Sequence, residues 1–176
     1  MKAPSVAGAL GLLVLTALPS SAIDYKPPFP PVFTAGEQTT IIYPDMPVEL
    51  LVTEAQSAGQ FGMVVSYHKP GEGPADNMLL ETKLTEVFYV LAGRFEFSVG
   101  DEVYEGGPGT VVVNPPTMPH GFKSIGTEIG KLLVITTPAE GGHGTEFFTN
   151  WAGQSTRSPE WIAKKNAEYG IDRPVP

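Results

Sequence analysis

Glu86-Val87-Phe88-Tyr89-Val90-Leu91-Ala92-Gly93-Arg94-Phe95-Glu96-Phe97-Ser98-Val99-Gly100-Asp101 is two largely apolar runs, each closed by a glycine-containing turn. Aromatic and β-branched residues dominate 86–91 and 94–99, and Ala92-Gly93 and Gly100-Asp101 punctuate them, so the stretch reads as successive antiparallel strands. Similar runs recur at 49–52, 61–68, 78–82, 110–114, 120–123 and 131–136. Lys69-Pro70-Gly71, Gly106-Gly107-Pro108-Gly109, Asn114-Pro115-Pro116 and Ser124-Ile125-Gly126 separate them. Many short strands with no helix between them predict an antiparallel sandwich or barrel rather than βαβ units. The 20 Gly and 18 Pro are then turn chemistry, because they fall between the apolar runs and show no repeat period.

The ends of the chain read differently. Lys2 precedes an apolar run over 6–18, followed by Pro19 and the small residues Ser20-Ser21-Ala22, the pattern of a secretory signal. This places the mature start near Ile23 and predicts a secreted protein with no membrane span. Residues 23–48 open with Ile-Asp-Tyr-Lys-Pro-Pro-Phe-Pro-Pro, where each Pro removes a donor and fixes φ, so an extended arm is expected. Such an arm can lie across a neighbour's sheet edge, which predicts a homodimer. The barrel is expected over 49–152 and a helical tail over 153–176. Ser158 as N-cap, Pro159 at the first helical position, Glu160 in the first turn and Gly170 past the end bracket the helix of that tail. A shorter helix is expected at 145–151.

Composition narrows the function classes. The 176 residues suit one domain, and 41% apolar with 17% charged residues is a folding composition. Eleven Lys and Arg against 19 Asp and Glu give a net charge of −8, the wrong sign for nucleic acid or an anionic membrane. Cys is absent, which excludes disulfides, thiolate metal sites and cysteine nucleophiles.

Spacing carries a more specific signal. Gly73 leads to Leu79, Glu81, Glu86 and Gly93, and a second block runs Gly109, Pro115, Thr117, His120 and Ser124. This resembles the two cupin motifs, in which Gly leads to His-x-His, Glu and Gly, and later Gly leads to Pro-x-Gly, His and Asn. The resemblance covers about 61–151, and the closing 159–176 is similar to the tail of stand-alone cupins related to quercetin dioxygenase. It implies a single cupin jelly-roll barrel, all-β, with the arm and the C-terminal helix attached.

In metal-dependent cupins the two histidines and the glutamate of the first motif, with the histidine of the second, bind one divalent ion inside the barrel. Those places here hold Leu79, Glu81, Glu86 and His120. One ligand is lost, and another changes from nitrogen to oxygen. The remaining Glu81, Glu86 and His120 suit iron(II) or manganese(II), or hold no metal at all. Thr117 and Ser124 stand in place of the Gly and Asn, a change of turn geometry rather than chemistry.

Each candidate also has a duller role. Glu86 shares a strand face with Phe88 and Val90, so an inward carboxyl is expected, against an edge Glu facing solvent. Inside an apolar barrel its environment suits general acid–base work, with His120 as partner. His120 is otherwise a satisfied core histidine, and Glu81 otherwise an exposed charge. Leu79, Phe88, Val90, Phe95, Phe97 and Phe122 are the expected pocket walls. His68, ahead of a Pro-Gly turn, is expected at the barrel rim and His143 in a loop. Phe147, Phe148 and Trp151 are read as a lid, core filler or a dimer contact.

Three functions follow. The first is a secreted cupin oxidoreductase, dioxygenase-like, acting on a phenolic or other small organic substrate. The second is a metal-free cupin performing isomerisation, cyclisation, dehydration or decarboxylation in a biosynthetic pathway, with Glu86 and His120 as catalytic residues. The third is a non-catalytic module that binds a small molecule.

Overall fold

The computed structural model describes residues 38–43, 46–74, 79–139, 145–153 and 158–172. The runs read as strands form β2 (Met46–Val52), β3 (Gly62–His68), β4 (Leu80–Glu81), β5 (Thr85–Ala92), β6 (Phe95–Val99), β8 (Val111–Asn114), β9 (His120–Ser124) and β10 (Gly130–Thr137). Three further strands were not expected, β1 (Thr39–Tyr43), β7 (Glu102–Gly106) and the two-residue β11 (Ile171–Asp172) in the segment read as a helical tail. The first falls within 23–48, so part of the segment read as an arm is paired strand, in register with β2. Residues 1–37 lie outside the described residues, and with them the signal segment and the Pro-rich stretch.

Two antiparallel sheets face each other as a jelly-roll barrel. One runs β1-β2-β3-β10-β5-β8 and the other β7-β6-β9. Leu79 extends the second sheet: its N–H donates to the His120 carbonyl at 2.7 Å, and the His120 N–H donates back to the Leu79 carbonyl at 2.9 Å. This seats β4 beside β9, and β4 pairs in turn with the short tail strand β11 (Ile171–Asp172). Alternation fills the space between the sheets. Val64, Phe88, Val90, Phe95, Phe97, Leu132 and Val134 are all buried inward side chains.

The helices brace this barrel. α1 (Thr145–Ala152) starts where the Thr145 hydroxyl donates to the Glu54 carboxylate. α2 (Pro159–Tyr169) takes its N-cap from Ser158, whose hydroxyl accepts the Trp161 N–H at 3.2 Å, and ends at Gly170 with φ 70°. Gly170 then delivers Ile171 to Glu81, because its carbonyl accepts the Thr82 N–H at 3.0 Å. No helix among the described residues is long and apolar enough to cross a membrane.

The loop that follows β3 packs against β9 without room for a side chain at Gly73. Its φ is 145°, and a Cβ there would stand 2.1 Å from the Phe122 carbonyl oxygen. Gly73→Ala should therefore destabilise the fold by about 1–3 kcal/mol, read as a lowered urea midpoint at unchanged slope. An unchanged midpoint would show that this loop is not anchored as described.

Candidate functional site

Glu81 on β4, Glu86 on β5 and His120 on β9 come from both sheets and meet inside the barrel. All three are buried, and one ligand atom of each lies within 4.8 Å of the other two. His120 Nδ1 is 2.8 Å from the Met118 carbonyl oxygen, which can only accept, so Nδ1 carries its hydrogen. Nε2 thereby faces Glu86 Oε2 at 3.0 Å. A contact between a carboxyl oxygen and this nitrogen holds one proton, on either partner.

The protonation energetics follow from burial and charge. Burial pulls the His120 pKa down, but the Glu86 hydrogen bond and the Glu86 and Glu81 charges outweigh it and raise the value above its ordinary 6.5. Burial first, then repulsion from Glu86, holds the Glu81 carboxyl well above its ordinary 4.5, with His120 pulling the other way. Two buried carboxyls beside one imidazole need either protons or a cation to balance them.

The donor set fits a divalent ion. Three buried atoms, two hard oxygens and one imidazole nitrogen held in its ligating tautomer, lie within 4.8 Å of one another. Leu79 lines the same cavity and has no donor atom.

The cavity measures about 380 Å³. Of the expected wall residues, Leu79, Phe88 and Phe122 line it. Val90, Phe95 and Phe97 do not. They are packed in the core at 0–1% exposure, because they sit deeper between the sheets, where side chains close the space. Phe147 and Phe148 of α1 also line the cavity and pack in the apolar cluster with Tyr169 and Ile171, whereas the Trp151 side chain and His143 fall outside the described residues.

His68 differs from expectation. It ends β3 as foreseen, but it is 1% exposed, lines the cavity and lies 2.8 Å from Ser66 Oγ through Nε2. The rings of Phe95 and Phe122 pack against it. Sequence reading also missed Asn114 and Thr136, which flank Glu86 in register on β8 and β10. Their side-chain polar atoms are buried without a hydrogen-bond partner among the described residues. Cross-strand register with Glu86 identifies both, and no local sequence pattern encodes that register.

Thr117 stands where the resembling motif has Gly. It occupies φ 67°, a region that glycine tolerates better, and its N–H donates to the Glu81 carbonyl at 2.6 Å.

Residues 68–136 match the cupin domain family. The barrel is a cupin domain. Solved structures that share its fold include these three. An RmlC-like cupin from Shewanella frigidimarina is 22% identical over 61% of this chain and 91% of its own, with a TM-score of 0.51. A sugar phosphate isomerase of the cupin superfamily from Silicibacter pomeroyi is 17% identical over 61% and 75%, at 0.53. KdgF from Halomonas sp. is 17% identical over 60% and 93%, at 0.51. No curated protein matches the sequence.

His68 gives the cupin barrel a testable acid sensitivity. Burial lowers its pKa to about 4, against about 6.5 in the unfolded chain. The unfolded state therefore binds more protons there, so this stabilisation is complete above about pH 6.5 and is lost as pH falls towards 4. His68→Gln should flatten the decline in urea midpoint across that window relative to wild type. Parallel curves would contradict the assignment.

Proposed function

We propose that this cupin is an enzyme that moves protons on a small, neutral, largely apolar organic substrate, with Glu86 and His120 as its catalytic residues. The Glu86–His120 contact at 3.0 Å carries the reading. It places a proton between a carboxyl and an imidazole in a cavity with largely apolar walls, the arrangement that general acid–base catalysis uses. Glu81, whose raised pKa keeps its proton near neutrality, serves as a second donor. A proton taken from one substrate atom by the pair is returned to another by Glu81 or His120. That sequence fits isomerisation, cyclisation or dehydration.

Charge restricts the substrate. The cavity wall carries the carboxylates of Glu72 and Glu86 beside the protonated Glu81, and no Lys or Arg among the described residues. A phosphate or carboxylate would enter against like charge, so a sugar phosphate, as the Silicibacter neighbour's name implies for that protein, fits this wall poorly. Decarboxylation is disfavoured on the same ground. Phenols, ketones and their conjugates suit the walls of Phe88, Phe122, Phe147 and Phe148.

The convergence of three ligand atoms supports a second reading, an oxidoreductase. Glu81, Glu86 and His120 would hold iron(II) or manganese(II), which when bound supplies a Lewis-acidic, dioxygen-reactive centre. The signal pattern over 1–22 supports a secreted enzyme under either reading.

Hydrogen–deuterium exchange into neutral aryl ketones, followed by NMR, tests the proposal. Wild-type protein treated with a chelator should accelerate exchange, and Glu86→Gln should lose about 10²–10⁴-fold of that rate while keeping its far-UV spectrum. Full activity in Glu86→Gln would overturn the catalytic assignment. Activity that vanishes with chelation and returns with manganese(II) would favour the metal reading.

A further inference from the structure

The cavity that holds Glu81, Glu86 and His120 has a second polar end. Strand register measures the separation. Thr136 pairs with Glu86 on one side and Gly62 on the other, whereas Leu132 pairs with Val90 and Ser66. Ser66 thus lies four residues along the strands from the Glu86 level, about 13 Å at the usual rise. Phe88, Phe122 and Val134 line the cavity between the two ends.

At the far end Ser66 and His68 share one face of β3, both lining the cavity and 3% and 1% exposed. Their mutual hydrogen bond, Ser66 Oγ to His68 Nε2 at 2.8 Å, joins two groups that are expensive to bury in an apolar barrel. The rings of Phe95 and Phe122 pack edge-on against the imidazole at 5.9 and 4.8 Å and fix its orientation. The pair is not saturated. If the serine donates to Nε2, then Nδ1–H remains a donor and the hydroxyl oxygen an acceptor. If Nε2–H donates to the serine, then the hydroxyl hydrogen remains a donor and Nδ1 an acceptor. Either tautomer offers a ligand one donor and one acceptor.

We propose that Ser66 and His68 form a distal recognition point that hydrogen-bonds a hydroxyl or carbonyl group at one end of an elongated neutral ligand whose other end lies at Glu81, Glu86 and His120. This rests on the acid–base reading for the near end alone. The distal point has no charge to offer, since burial keeps His68 neutral at ordinary pH. It therefore selects a neutral polar group over an anion. An apolar rod with a polar group at each end matches both poles and the aromatic waist between them.

A matched pair of rods tests it, 4-hydroxystilbene and 4,4′-dihydroxystilbene, with affinities measured by ligand fluorescence. Wild type should bind the diphenol about tenfold more tightly, the value of one net hydrogen bond. Ser66→Ala should bring that ratio close to one, and His68→Gln should do the same as an independent check on folding effects. A ratio near one in wild type, equal ratios in wild type and both β3 variants, or no binding of either rod by wild type would each overturn the distal site. A ratio that behaves as stated while Glu86→Gln retains full proton-exchange activity would leave the distal site standing and overturn the acid–base reading.

Discussion

The hydrogen bond between Glu86 and His120 constrains the rest of the molecule. A carboxyl and an imidazole are expensive to bury, and the barrel buries both on facing sheets. Their contact at 3.0 Å offsets part of that cost and ties β5 to β9 across the core. The neighbouring pieces hold this geometry. The Met118 carbonyl sets the imidazole tautomer, the Leu79 backbone pairs with His120, and β11 closes over β4 so that Glu81 faces inward. The tail helix thus has a structural task at the site, since its left-handed Gly170 delivers Ile171 to Glu81 and to the cavity wall.

The β architecture was legible in the sequence wherever apolar alternation and turn residues coincided, as at 86–101. Two of the strands that escaped, β7 and β1, explain the limits of that signal. β7 runs Glu102-Val-Tyr-Glu-Gly, and its first four residues are exposed. It is an edge strand, with no buried face to impress on the pattern. β1 pairs only through β2, close to the Pro-rich stretch that dominated the reading of that region. The α2 caps were readable, because Ser158, Pro159 and Gly170 act through local geometry.

Site residues divide along the same line. Glu81, Glu86 and His120 were reachable through motif spacing, and they do converge. The depth of His68 was not, since strand position alone cannot tell a rim from a cavity end packed against Phe95 and Phe122. Val90, Phe95 and Phe97 were expected as walls and are core, because inward direction does not say how far a cavity reaches. Asn114 and Thr136 depend on register with Glu86, which no local pattern encodes.

A proton shared inside an apolar cavity, beside a second carboxyl, is the central claim, and its charge state can be observed directly. Nitrogen-15 NMR of the His120 ring across a pH titration of the metal-free protein reports it. The account predicts a His120 pKa above the ordinary 6.5 in wild type and a fall in Glu86→Gln, where the hydrogen-bonded acid is gone. A value at or below 6.5 that Glu86→Gln leaves unmoved would contradict it.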